Sequence, residues 1–195
     1  MLEQRIQQQF FDSADLQYQT AESLARPIAD AAQALIGCIT AGGKLLVGGL
    51  GGGGALAQHF CAALVGRFER ERPGLAAMAL ASDAVLLGTL VTRDQVFAKQ
   101  VQALGQGGDV LLLIDPLGHG AALEAGIAAA HARDMVVVVL GARAAPALRD
   151  ALNETDVLVD VPHDRKARVL ELQLLVLHCL CDAVDLQLMG EQDPL

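Results

Sequence analysis

Five short apolar runs, separated by segments of helical periodicity, constrain the fold of this 195-residue chain most strongly. They predict strands at 44–49, 76–81, 110–115, 135–140 and 156–161. The runs at 110–114 and 136–139 are continuous rather than alternating, which is typical of strands buried on both faces. Strands that alternate with helices favour right-handed crossovers and a parallel sheet. We therefore expect an α/β fold, a three-layer α/β/α sandwich around a five-stranded parallel sheet.

The remaining periodic segments predict helices on both sides of this sheet. Two N-terminal helices are expected at 3–25 and 27–40, because Pro27 suits the first turn of the second one. Further helices are expected at about 53–67, 83–104, 120–133, 144–152 and 165–189. A single domain spans 1–195, with N-terminal helices (1–42), an α/β core (43–163) and a C-terminal oligomerisation helix and tail (164–195). The last helix is apolar around most of its circumference, which favours an oligomer interface at Leu186, Leu188 and Met189.

Charge and composition exclude several classes of protein. Fourteen basic and 23 acidic residues give a net charge of −9, which argues against direct nucleic-acid binding. No apolar run is long enough to span a membrane. Residues 1–15 are polar and do not resemble a secretion signal, so we expect a cytoplasmic location. The four cysteines form no C-x-x-C pair and are expected to be buried apolar side chains. The mixed charges at 67–72 predict a solvated helix end.

A glycine-rich loop, 48–54, follows the first predicted strand. Glycines between a strand and a helix let backbone N–H groups approach an anion at the helix N-terminus. Yet the segment between Gly48 and Ala57 contains no Ser, Thr, Asn, Lys or Arg. Ligands of such sheets bind beyond the carboxyl ends of the strands. We therefore expect a ligand pocket built from Gly51, Gly52, Gly53, Gly54, Asp115, Gly118, His119 and Gly120.

The order of elements, the loop leading to Gln58-His59-Phe60 and the segments 66–74 and 97–105 resemble the sugar isomerase (SIS) domain family. Within it, the chain is similar to the phosphoheptose isomerase group. The resemblance implies a flavodoxin-like fold with a sugar-phosphate pocket. Where the family has an Asn and a Ser in the first loop, this chain has Leu50 and Gly53. The second loop, 115–120, has lost every hydroxyl, and each lost hydrogen bond to a charged group is worth about 1.5–3 kcal/mol.

The family's catalytic pattern is carried over only in part. The resemblance implies a His-x-x-x-Glu pair after the first loop, where this chain has His59 and Ala63. It also implies a Gln and a His on the last helix, where this chain has Leu170 and His178. If the protein is an enzyme, His59 and His178 are its candidate catalytic residues, since isomerisation needs an acid/base pair. Two histidines make a poor zinc site, so we expect no metal and no other cofactor.

Three functional hypotheses remain open. The loss of the loop side chains favours a non-catalytic, homotetrameric regulator, similar to members of this group that associate with the replication initiator DnaA, which would be its partner. The alternative is a phosphoheptose isomerase that converts sedoheptulose 7-phosphate into a heptose 7-phosphate for lipopolysaccharide precursors. A third is a sensor of a non-phosphorylated ligand.

Overall fold

The computed structural model describes residues 1–80, 84–117, 120–143 and 146–191. Five parallel strands form one sheet in the order β2-β1-β3-β4-β5. They are β1 (Leu45–Gly49), β2 (Ala77–Ala79), β3 (Val110–Ile114), β4 (Val136–Ala142) and β5 (Val157–Val161). The predicted α/β class and parallel five-stranded sheet are confirmed.

The described residues form seven α-helices. They are α1 (Leu2–Thr40), α2 (Gly52–Val65), α3 (Ala84–Thr89), α4 (Val96–Leu104), α5 (Ala121–His131), α6 (Pro146–Asp150) and α7 (Lys166–Met189). The single helix predicted at 83–104 is instead α3 and α4, joined by a 3₁₀ turn at Arg93–Gln95. Helix α3 ends at Thr89, and Thr92, which directly precedes the 3₁₀ turn, has an extended backbone with φ −135° and ψ 151°.

The two N-terminal helices predicted around Pro27 are one continuous helix, α1. Pro27 removes one backbone hydrogen bond, and a proline inside a helix costs about 3 kcal/mol. Helix α1 nevertheless continues, because Leu24, Ala31 and Leu35 keep helical spacing across the proline and are all buried in one apolar cluster. The free energy gained by burying these three side chains outweighs the cost of a proline inside the helix.

Each strand buries alternate residues on opposite faces of the sheet. Val110, Leu112 and Ile114 pack into the cluster formed with α1, α2 and α7. Leu111 and Leu113 pack into the second cluster, formed with α4, α5 and the shorter helices. The predicted three layers follow directly from this two-sided burial. No helix in the described part of the chain is long and apolar enough to cross a membrane.

The charged segment at 67–72 is only partly the solvated helix end that the sequence predicts. Arg67 and Glu71 do form an exposed ion pair. The guanidinium of Arg72, however, is fully buried and contacts Asp185 of α7 at 2.5 Å. It also donates to the carbonyls of Ala63 and Leu64 at the end of α2, at 2.9 and 2.7 Å. A cation at this position satisfies carbonyls that the helix leaves without partners.

Three of the four cysteines are buried as predicted. Burial raises the pKa of the Cys61 and Cys181 thiols to about 12, so these side chains behave as small apolar groups. The pKa of Cys38 is also raised, again mainly by burial. Cys179 differs from the prediction because it is exposed, beside a groove between α1 and α7.

Polar contacts fix the opposite, amino edge of the sheet around Asp109. This carboxylate is buried and accepts hydrogen bonds from the backbone amides of Lys44 and Gln106, both at 2.9 Å. The ammonium of Lys44 lies 2.5 Å away. Burial alone would raise the pKa of Asp109, but these donors together lower it below 3.8. The contacts bind the start of β3 to the start of β1.

Candidate active site

The loops after β1 and β3 meet at the carboxyl edge of the sheet, where the order of connections reverses. Such a switch point is the usual ligand position in an open parallel sheet. A cavity of about 510 Å³ lies there. Its lining consists of Gly49, Leu50, Gly51, Leu87, Arg93, Asp94, Val96, Phe97, Leu117, Gly120, Ala121 and Ala122.

Two of the loop glycines are required by close backbone packing. A Cβ on Gly49 would lie 2.3 Å from the carbonyl of Gly53, and a Cβ on Gly53 would lie 2.5 Å from the carbonyl oxygen of Ile114. The serine that the family pattern has at position 53 does not fit this arrangement. Gly51 takes a positive φ of 53°, which favours glycine. The glycines therefore let the first turn of α2 rest on the strand ends.

The structure places only part of the predicted pocket on the cavity wall. Gly51 and Gly120 line the cavity, whereas Gly52, Gly53 and Gly54 form the first turn of α2 and lie outside its lining. Gly118 and His119, the other predicted loop residues, lie outside the described part of the chain.

Asp115 is fully buried rather than exposed to a ligand. Its Oδ1 accepts the backbone N–H of Leu117 at 2.9 Å, an arrangement that closes a turn within the loop. Its backbone carbonyl accepts a hydrogen bond from the buried side chain of Gln173 at 3.1 Å. The sequence predicts that Asp115 lines the ligand pocket, whereas its buried contacts hold the loop in place.

Two leucines occupy the space beside the glycines of these loops. Leu50 packs over Gly120, where a Cβ would come within 2.7 Å of its Cδ1. Leu170 of α7 packs over Gly52, where a Cβ would come within 2.8 Å. These are the positions at which the family pattern has an Asn and a Gln. Apolar packing here joins α7 to the first turn of α2.

The structure brings the two predicted catalytic histidines into direct contact. Nε2 of His59, on α2, lies 3.0 Å from Nε2 of His178, on α7. The rings meet edge to face with centroids 5.3 Å apart. Phe68, which sequence reasoning missed, lies against the other side of His178 at 5.4 Å between centroids. His59 is exposed and His178 half-buried, so a ligand can reach the pair.

A contact of 3.0 Å between two imidazole nitrogens fixes their roles relative to each other. One nitrogen must carry the proton and the other must accept it, since two lone pairs or two N–H groups would repel. The pair therefore presents a proton donor and a proton acceptor side by side. The two imidazoles are therefore candidates for a general acid and a general base toward a ligand that replaces the contact between them.

The donor set around the histidines does not fit a zinc ion. Zinc in proteins takes at least three side-chain ligands. Ala63 and Leu170 offer no ligand atom, and the described residues contain no group of three His, Cys, Asp or Glu side chains that could hold a metal.

Comparison with known proteins agrees with this architecture. The SIS domain family matches residues 9–142. The chain belongs to the SIS domain family. A phosphoheptose isomerase from Methylibium petroleiphilum is 58% identical over 99% of this chain and 98% of its own length. Another from Thiobacillus denitrificans is 45% identical over 98% and 99%, respectively.

Solved structures give the same result. The phosphoheptose isomerase of Neisseria gonorrhoeae superposes with a TM-score of 0.88 and 38% identity, over 95% of this chain and 99% of that one. The phosphoheptose isomerase of Francisella tularensis has a TM-score of 0.89, also at 38% identity. The coverage of both chains is nearly complete, so the likeness includes the elements that carry His59 and His178.

These findings overturn the expectation of a non-catalytic regulator. Relatives that match over almost the full chain are isomerases, at up to 58% identity among those given above. The sequence argument assumed that a pocket without hydroxyls and without the family's carboxylate is inactive. Two histidines in contact remain beside these positions.

Sequence reasoning also missed the polar part of the cavity wall. Arg93 and Asp94 lie in the 3₁₀ turn between two helices, where no periodicity marks a face. Their position in the chain could have identified them, since they come shortly before α4 in the connection that follows β2. Ligand-binding residues of parallel sheets are concentrated at that edge.

Proposed function

We propose that this protein is a phosphoheptose isomerase that interconverts sedoheptulose 7-phosphate and a heptose 7-phosphate. The 3.0 Å contact between His59 and His178 carries the proposal. It supplies both halves of an acid–base pair on the scaffold that the isomerase relatives share. With this activity we also propose that the protein acts in the cytoplasm and forms a precursor of lipopolysaccharide.

The reaction moves one carbon-bound proton and one oxygen-bound proton. A neutral imidazole nitrogen removes a proton from C1 of the ketose, and the C–H electron pair becomes the C1–C2 double bond. The carbonyl oxygen at C2 takes a proton from the protonated partner imidazole, giving an enediol. The first imidazole exchanges this proton with solvent and delivers a solvent-derived proton to C2, while the O1 hydroxyl gives its proton back to the partner. The aldose forms and both imidazoles recover their starting states.

Imidazole can do this work without the carboxylate that the family pattern contains. An imidazole carries two ring nitrogens, one of which can accept a proton while the other donates one. General acid–base groups of this kind contribute about 10²–10⁴-fold to the rate. Because Ala63 stands where the family pattern has a Glu, this site lacks one base of that pattern. The two imidazoles still provide an acid and a base.

The cavity and the histidine pair lie at different points along α2. Their separation along the helix is close to the length of the substrate. His59 follows Gly52 by seven positions, about two helical turns, which corresponds to about 10 Å along the axis. A seven-carbon sugar phosphate is of similar length. The substrate can thus place its phosphate near the glycine loop and its carbonyl end near the imidazoles.

Turnover of sedoheptulose 7-phosphate in heavy water tests the proposal. We expect the aldose product to carry deuterium at C2, and we expect His59→Ala and His178→Ala each to lower kcat at least 100-fold. His163→Asn is the matched control, because Asn preserves the acceptor for the backbone N–H of Arg165. A folded wild-type protein with no turnover, or turnover unchanged in both alanine variants, would contradict the proposal.

The assembly of the protein is a second expectation that we retain as a proposal. A homotetramer is supported by large apolar side chains that stay exposed on a single protomer. They are Leu2, Ile6, Phe10, Phe11 and Tyr18 of α1 and Leu186 and Met189 of α7. Association with DnaA belonged to the regulator hypothesis and stays an untested prediction.

A further inference from the structure

The cavity at the carboxyl edge of the sheet carries all its side-chain charge on two neighbouring residues. Arg93 and Asp94 are the only described lining residues with a charged or polar side chain, since the others are apolar or glycine. A cavity with this lining cannot be a generic polar surface. It presents one cation and one carboxylate against apolar walls.

In the part of the chain that the structure describes, neither charge has a partner. Arg93 and Asp94 are exposed, and within the described residues neither forms an ion pair or a side-chain hydrogen bond, with each other or with a third group. The turn that carries them is nonetheless firmly placed. Val96 and Phe97, the next residues along α4, are 5% and 0% exposed in the second apolar cluster.

Two of the residues that line this cavity stand at helix starts. The N–H groups of Gly51 and Ala121, at the starts of α2 and α5, have no acceptor among the described residues. Such groups are the ones that a helix leaves unpaired at its first turn. They add partial positive charge to the guanidinium of Arg93.

We propose that Arg93 binds the phosphate of the substrate and that Asp94 accepts hydrogen bonds from its hydroxyls. This inference rests on the proposed isomerase function and names the residues that select a phosphorylated polyol. A guanidinium binds phosphate through two parallel hydrogen bonds, which an ammonium cannot do. A carboxylate only accepts, so it suits hydroxyl groups and repels a second phosphate. Arg93 thus takes over the task of the lost loop hydroxyls.

Equilibrium binding, measured by calorimetry, separates the two roles without turnover. The probes are sedoheptulose 7-phosphate, unphosphorylated sedoheptulose and inorganic phosphate. We expect Arg93→Gln to weaken binding of both phosphorylated probes by about 10- to 150-fold, the equivalent of one hydrogen-bonded charge, and to leave sedoheptulose unchanged. Arg93→Lys should recover only part of the loss. Lys99→Gln removes the same charge from the exposed side of α4, outside the cavity, and is the matched control.

For Asp94→Asn we expect the opposite pattern of affinities for the three probes. It should weaken binding of sedoheptulose and of its phosphate, and it should leave the affinity for inorganic phosphate equal or higher. The inference is wrong if the wild-type protein binds no sugar phosphate at millimolar concentration, or if Arg93→Gln loses no more than Lys99→Gln. Phosphate binding that depends on Arg93 without any turnover would sink the isomerase proposal alone. Turnover with binding indifferent to Arg93 would sink this inference alone.

Discussion

Arg72 joins the two helices that carry His59 and His178, the proposed catalytic residues. Its side chain is fully buried between the end of α2 and Asp185 of α7, and it satisfies two carbonyls of α2 as well as the carboxylate. Neighbouring Arg70 donates in the same way to the carbonyls of Met189 and Gly190 at the end of α7, at 3.2 and 2.8 Å. One charged segment therefore caps both helices. The relative position of His59 and His178 depends on this clamp.

Replacing Arg72 by Leu should destabilise the protein by about 3–5 kcal/mol, because a buried Asp185 would be left without its partner. Urea unfolding followed by circular dichroism measures the change. Arg67→Leu is the control, since Arg67 pairs with Glu71 on the surface and should change the free energy of unfolding by at most about 0.5 kcal/mol. A loss below 1 kcal/mol in Arg72→Leu would show that the buried contact is not needed.

The contrast between Arg72 and the histidines shows what sequence can say about single residues. His59 and His178 could be singled out because they match a pattern that the family shares. Arg72 could not, since an alternation of charges normally predicts a solvated face. Its burial depends on where the ends of α2 and α7 meet, and no local pattern records that meeting.

The glycine loop shows the same limit for an element. The sequence predicts a turn between β1 and α2 that is able to bind an anion, and the turn exists. The tertiary structure adds the reason for the glycines at 49 and 53, because the first turn of α2 lies directly on the ends of β1 and β3. Most of these glycines serve backbone packing, and only part of the loop faces the cavity.

Gly49→Ala should destabilise the protein by about 1–3 kcal/mol, since its Cβ would lie 2.3 Å from backbone atoms that cannot move aside. Gly37→Ala is the opposite case. Gly37 is an exposed position inside α1 with open space around it, so alanine should stabilise the protein by about 0.5–1 kcal/mol. Thermal unfolding of both variants checks the sign. Equal shifts in the two would contradict the packing argument.

The whole molecule leaves apolar surface uncovered although its core is complete. Helix α7 packs against both α1 and α2, so part of the apolar circumference that suggested an oligomer is covered within the chain. Leu186, which remains 48% exposed, is not covered. The predicted interface residue Leu188 is half-buried against the core instead. Of the three predicted interface residues on α7, Leu186 and Met189 stay exposed and Leu188 does not.

Leu186→Asp should dissociate the proposed tetramer, because the interface would have to bury an unpaired charge. Sedimentation velocity at micromolar concentration measures the mass of the assembly. Gln187→Asp adds the same charge at the next exposed position of α7 and should leave the mass unchanged. A tetramer that survives Leu186→Asp places the interface elsewhere, and a monomeric wild-type protein contradicts the assembly itself.

The sequence by itself determined the layers, the strands and the identity of the two histidines. Continuous apolar runs can only be buried on both faces, so the hydropathy pattern alone requires a sheet between two helical layers. The tertiary structure decided which polar groups meet, His59 with His178 across 119 residues and Arg72 with Asp185. It also decided that Arg93 and Asp94 line the same cavity as part of the glycine loop. Burial of apolar residues follows from local periodicity. The pairing of polar groups depends on segments far apart in the chain, and only the folded structure brings them together.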